Sequence, residues 1–118
     1  MVLVDTSIWI SHLRRGDPRL QSLLEDAQVM SHDFVIGEIA CGELRNRNEI
    51  LTFLEALPRA STVSQAEFIH FIEKKSLAGR GIGFVDVHLL ASAQLMGISL
   101  WTLDHQLTNV ARDLKLAF

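Results

Sequence analysis

The sequence predicts an α/β protein, with a parallel sheet covered by helices on both faces. Three observations predict it. Met1–Val4 and Ile98–Leu103 are short, continuously apolar runs, the signature of strands buried on both sides. Between them, apolar residues recur at i, i+3, i+4 and i+7, the spacing of amphipathic helices. Val85–Met96 is apolar nearly all round, as befits a helix inside the core.

The elements follow in order. The first strand runs into Asp5-Thr6-Ser7, any of which can cap a helix over Ile8–Arg14. Asp17-Pro18 starts a second helix, with Pro at its first position and Leu20, Leu23, Leu24 and Ala27 on one face. Gln28–Ser31 reads as a short strand. Asp33 is expected to cap a helix that carries Glu38 and Glu43 and reaches about Leu44. Ile50, Phe53, Leu54 and Leu57 mark another helix, stopped by Pro58. Ala60–Val63 is β-prone. Ser64 and Glu67 form a capping box that opens a helix to about Leu77. Gly79-Arg80-Gly81-Ile82-Gly83 breaks the pattern before the buried helix, which Gly97 ends. Asp104 is expected to cap a last helix with Leu107, Val110, Ala111 and Leu114 on one face. Lys115–Phe118 is a final strand or a docked tail.

With 118 residues, the chain has the size of one domain, residues 1–118. Hydrophobic residues make up 48% and charged residues 21%, which excludes a disordered tail. The single cysteine, Cys41, excludes an internal disulfide framework and reads as a small core residue. No apolar run is long enough to span a bilayer, and the N-terminus lacks a basic leader. These features point to a reducing cytoplasm and no membrane partner. The net charge of −3 argues against tight, sequence-blind binding to a phosphate backbone. Setting four carboxylates aside for a metal leaves ten acids against eleven Lys and Arg, so a nucleic-acid substrate stays compatible.

Ligands of parallel sheets bind at the carboxyl ends of the strands. Asp5 ends the first predicted strand and Asp104 follows the last. Asp86 opens the buried helix that feeds that strand, and Glu38 lies early in the helix after the second strand. Four converging like charges repel, and a divalent cation relieves the repulsion. A set of carboxylates without Cys or His suits Mg²⁺ or Mn²⁺. One or two such ions activate a water and stabilise the leaving oxygen of a phosphodiester. Taken singly, each Asp is also an ordinary helix cap.

The blocks Val2-Leu3-Val4-Asp5-Thr6-Ser7, Glu38-Ile39-Ala40-Cys41-Gly42, Gly81-Ile82-Gly83-Phe84-Val85-Asp86 and Leu100-Trp101-Thr102-Leu103-Asp104 resemble those of PIN-domain ribonucleases. More narrowly, they resemble the VapC-type toxins of toxin–antitoxin pairs. The resemblance implies an α/β/α sandwich with a parallel sheet of four or five strands. It implies Asp5, Glu38, Asp86 and Asp104 as a catalytic Mg²⁺ or Mn²⁺ site. It further implies endonucleolytic cleavage of RNA, a cognate VapB-type antitoxin and a homodimer. Glu38 fits the family's helical acid better than Glu43, because Gly42 follows it by four residues. On a continuous helix the two would stand about 140° apart. Val87-His88 departs from the family's small or apolar continuation, and His105-Gln106 stands where many relatives carry another acid.

Ser7 and Thr102 each lie two residues from an acid, where a hydroxyl can orient a ligand carboxylate or a bound water. Arg80, in the glycine-rich loop, is the foremost candidate for a phosphate contact, ahead of Arg14, Arg15, Lys74 and Lys75. None of the five His shows metal-ligand spacing, and His105 is the one beside an acid. Ile8, Trp9 and Ile10, with the Leu20 face, are core or an interaction surface. Two other classes of function compete. A phospho-acceptor signalling domain would need a paired acid after the first strand and a Lys after the last. A non-catalytic PIN-like binding module would keep the scaffold with a degenerate or structural metal site.

Overall fold

The computed structural model describes residues 1–118. Ten elements follow one another: β1 (Val2–Val4), α1 (Thr6–Arg15), α2 (Pro18–Glu25), β2 (Val29–Met30), α3 (Asp33–Ala40), α4 (Arg47–Ala56), α5 (Gln65–Lys75), α6 (Phe84–Met96), β3 (Ser99–Trp101) and α7 (His105–Asp113). The strands are parallel in the order β2-β1-β3, with Leu3 opposite both Met30 and Leu100. All three residues of central β1 are buried, as its unbroken apolar run requires. The chain leaves β1 for β2 on one side and later returns to β3 on the other. The carboxyl end of β1 is therefore a topological switch point, where α/β sheets bind ligands.

The sheet has three strands, not the four or five expected. The two flanking segments each meet it through one residue pair, Ser31 with Arg59 and Leu100 with Ala117. Pro58 starts the first segment and has no N–H to extend a ladder. At the other edge, the tail is drawn onto α2: Arg19 stacks 4.3 Å over the Phe118 ring and 5.3 Å over Trp101. Lys115–Phe118 is thus a docked tail, and Ala60–Val63 forms no strand.

Most helix signals appear where the sequence put them. Asp17 caps α2 through Oδ1, the Ser64–Glu67 box caps α5, and Gly97 closes α6 at φ 65°. Three differ. α3 ends at Ala40 rather than near Leu44, because Arg47 folds back to donate to the carbonyls of Ala40 and Gly42. Cys41 then lies past the helix and is exposed, not a core residue. α2 ends at Glu25, leaving Ala27 in a left-handed turn at φ 53°. Ile8, Trp9 and Leu20 belong to the core, which also takes in most of α6.

Candidate active site

Three of the four predicted acids gather at the carboxyl edge of β1 and β3. Asp5 is buried directly after β1, and its backbone N–H donates to Trp101 O at 2.9 Å. Its Oδ2 accepts from Ser7 Oγ at 2.7 Å and from Thr102 Oγ1 at 2.7 Å, with the Ser7 amide at 3.4 Å. Each hydroxyl spends its one proton on Asp5 and uses a lone pair on β3's exit. Ser7 Oγ accepts from Leu103 N at 3.0 Å, and Thr102 Oγ1 from Asp104 N at 3.1 Å. This network ties the end of β1 to the end of β3. Both supporting hydroxyls predicted from sequence are therefore aimed at Asp5.

Asp104 caps α7, with Oδ1 accepting from Leu107 N at 2.8 Å. Asp86 is not the N-cap of α6, as the sequence suggested; Gly83 holds that place, and Asp86 sits three residues further in. Its Oδ2 accepts from Gly83 N at 2.9 Å. Burial pushes the half-buried Asp86 carboxyl above the usual range. The charges of Asp5 and Asp104 raise it further, while the Gly83 hydrogen bond opposes the rise. Asp86 therefore senses the charges of both Asp5 and Asp104.

Glu38 joins from α3 through Thr6, whose Oγ1 donates to Glu38 Oε1 at 2.7 Å. The sequence reading missed Thr6, although it stands inside the Asp5-Thr6-Ser7 run. Glu43 lies beyond α3, so the end of that helix, not its angular spacing, separates it from Glu38.

The other candidates are placed as follows. Arg80 pairs with Asp113 on α7 at 2.7 Å, while neighbouring Gly81 packs on Gln106. The glycine-rich loop thus lies along α7, with Gly81 against its first turn and Arg80 paired at its last residue. His88 faces away from Asp86 into an aromatic cluster, stacked on Phe68 at 4.3 Å and edge-on to Phe34 and Phe84. It forms no wall of the acid site. His105 is exposed at the first turn of α7. Arg14, Arg15, Lys74 and Lys75 close α1 and α5 as basic last turns, favourable to the helix dipoles.

The donor set suits a hard divalent cation, because it is made only of carboxylates. In all four acids one oxygen is held by the chain's own donors: Asp5 Oδ2, Glu38 Oε1, Asp86 Oδ2 and Asp104 Oδ1. The second oxygen of each makes no hydrogen bond. As the side chains stand, no three of them close around a common point at metal-ligand distance.

A parallel sheet with acids at its switch point, covering residues 2–113, matches the PIN domain, and the chain belongs to that family. It is 43% identical over 118 residues to ribonuclease VapC32 of Mycobacterium tuberculosis, aligned across 99% of this chain and 95% of that one. It is thus a VapC-type PIN domain. Solved structures share the fold. PAE2754 from Pyrobaculum aerophilum gives a TM-score of 0.70 at 16% identity, covering 99% of this chain and 87% of that one. FitAcB from Neisseria gonorrhoeae gives 0.65 at 19% identity, covering 95% and 94%. FitAB bound to an IR36 DNA fragment gives 0.62 at 18% identity, covering 95% and 91%.

Proposed function

We propose that this chain is a Mg²⁺- or Mn²⁺-dependent endoribonuclease, the toxin of a toxin–antitoxin pair. The observation that carries the reading is the gathering of Asp5, Asp86 and Asp104 at the switch point, with Glu38 tied in through Thr6. Relatedness to a ribonuclease of the VapC type supports RNA as the substrate. The free oxygens of Asp5, Glu38, Asp86 and Asp104 would hold the cation. When bound, such an ion supplies Lewis-acid activation of water and charge stabilisation at the phosphodiester.

The chain's own residues do the rest. Ser7 and Thr102 fix the Asp5 carboxylate, so its free oxygen has one direction. The Gly83 and Leu107 amides do the same for Asp86 and Asp104. Arg80 contacts substrate phosphate at the rim, exchanging Asp113 for it. A cognate antitoxin segment occupies the open groove of about 350 Å³ lined by Trp9, Leu13, Leu24, Ile50 and Phe53. The active form in this reading is a homodimer.

The test is cleavage of total cellular RNA by purified protein with Mg²⁺, with Mn²⁺ and with chelator, beside Asp86→Asn. Discrete metal-dependent fragments, absent in the variant, are expected. Folded, partner-free protein that cuts nothing would leave a non-catalytic PIN-like binding module.

A further inference from the structure

His32 is fully buried where β2 passes into α3, and it uses both ring nitrogens. Nδ1 accepts from Phe34 N at 3.0 Å and so caps α3. That acceptor role leaves the proton on Nε2, which donates to Ser92 Oγ on α6 at 3.0 Å. Ser92 is fully buried as well.

Histidine is a costly choice of cap. Ser, Thr, Asp and Asn cap helices more readily and with less buried polar surface. Asp33 is of the right type, but it stands one residue further on, inside α3, and pairs with Arg59 at 3.1 Å. A short cap would satisfy the Phe34 amide and stop there. A second polar atom beyond the first is needed to reach α6, and the imidazole supplies it.

The two helices joined in this way carry two of the acids. Glu38 is on α3 and Asp86 is on α6. α3 packs chiefly on α1 and α4, and α6 on α5 and β3. Between α3 and α6 themselves run the His32–Ser92 bond and the contacts of the Phe34 ring with Phe84 and His88. Aromatic faces tolerate sliding, whereas a hydrogen bond fixes separation and rotation.

We propose that His32 is a positioning residue for the acid site. Through Ser92 it locks the helix bearing Glu38 against the helix bearing Asp86, so that both carboxylates reach one cation. The inference rests on the reading of the four acids as a Mg²⁺ or Mn²⁺ site.

Four variants separate positioning from plain stability. Ser92→Ala removes the acceptor and leaves the α3 cap in place. His32→Asn keeps a cap oxygen near the Phe34 amide but has no atom that reaches Ser92. His32→Gln reaches Ser92 and gives up the cap. Leu20→Ala, in the core on α2, which carries none of the four site acids, is the structural control. The readouts are the Mn²⁺ dissociation constant, from the paramagnetic resonance of free Mn²⁺, and the urea midpoint. To these are added kcat and KM on an RNA oligonucleotide carrying a mapped cleavage site.

Ser92→Ala and His32→Asn are expected to weaken Mn²⁺ binding about tenfold, the lower end for a residue acting behind the ligands. kcat falls with it, KM for RNA holds, and the double variant is no worse than either single one. His32→Gln keeps the Mn²⁺ affinity, and Leu20→Ala lowers the urea midpoint alone. Wild-type Mn²⁺ affinity in Ser92→Ala overturns the proposal, as does equal weakening in Leu20→Ala. Should His32→Asn not fold, Ser92→Ala decides. Wild-type protein that binds Mn²⁺ but cuts no RNA refutes the ribonuclease reading alone, and the Mn²⁺ constants still decide this one. Wild-type protein that binds no Mn²⁺ at millimolar concentration overturns both.

Discussion

Thr102→Val tests the network that holds Asp5. Valine replaces the hydroxyl by a methyl at nearly constant volume, so no cavity opens. Two hydrogen bonds go: the donation to Asp5 Oδ2 at 2.7 Å and the acceptance from Asp104 N at 3.1 Å. A bond to an ionised carboxylate contributes about 1.5–3 kcal/mol, and the bond from the half-buried amide about 1 kcal/mol. The added methyl, at a position only 9% exposed, returns about 0.8 kcal/mol. The net loss is about 2 kcal/mol, or about 8 °C in Tm for a chain of this length. Urea and thermal unfolding of metal-free protein measure it. Ser7 donates to the same Asp5 oxygen, so the costs of Ser7→Ala and Thr102→Val should couple rather than add. A loss below about 0.5 kcal/mol in Thr102→Val, or strict additivity with Ser7→Ala, would refute the shared-oxygen account.

Three further outcomes are expected. Burial and the charges of Asp5 and Asp104 raise the Asp86 carboxyl, so the native state holds that proton more tightly than the unfolded chain. Its contribution favours folding at acid pH and turns against folding as pH rises through the raised value. Metal-free Asp86→Asn should therefore resist urea better than wild type at pH 7 but not at pH 3, and with Mn²⁺ added should cut no RNA. Burial holds the His32 imidazole down to about 4, so the native state needs it neutral. The stability it allows is complete above about pH 6.5 and is lost toward pH 4, up to about 3 kcal/mol, with His88 adding in the same direction. His32→Asn should flatten most of that slope in urea titrations at pH 7 and pH 4. Arg80→Ala removes an exposed ion pair and should change stability by less than about 1 kcal/mol. Its KM for RNA should rise about fivefold with kcat held, a change of about 1 kcal/mol, and an unchanged KM would remove Arg80 from the substrate path.

The parallel sheet and the place of Asp5 at its carboxyl edge were legible because β1 is an unbroken apolar run with an acid directly after it. Strand number was not legible. Whether Arg59 and Ala117 extend the sheet depends on Pro58 and on the stacking of Arg19 over Phe118, and neither acts through local propensity. The end of α3 was missed for a similar reason, since Arg47 caps it from the next element. The hydroxyl partners of Asp5 were within reach of sequence reasoning because D-T-S and T-x-D place them two residues from an acid. His32 was not. Its Nδ1 contact is local, but its meaning comes from Ser92, sixty residues on. A lone histidine in a one-sequence reading carries no trace of such a partner.

The cap reading and the ligand reading of these acids looked like rivals in the sequence, and the geometry shows why they need not be. A carboxylate has two oxygens. In Asp104 and Asp86, one oxygen accepts from a backbone amide at the start of a helix, which fixes the plane and direction of the group. The other is left without a donor. A helix cap is thus a means of aiming a ligand, and its cost is already met by folding. Asp5 differs, because it is buried and its fixing partners are two hydroxyls, Ser7 from the first turn of α1 and Thr102 from the segment between β3 and Asp104. The lone pairs of those hydroxyls are bound to the amides of Leu103 and Asp104, so neither can turn away without breaking a second bond. Orientation at Asp5 is therefore coupled to the path of the chain into α7. A perturbation of Thr102 should for this reason move Asp104 as well as Asp5, whereas loss of the Gly83–Asp86 bond should stay local to α6.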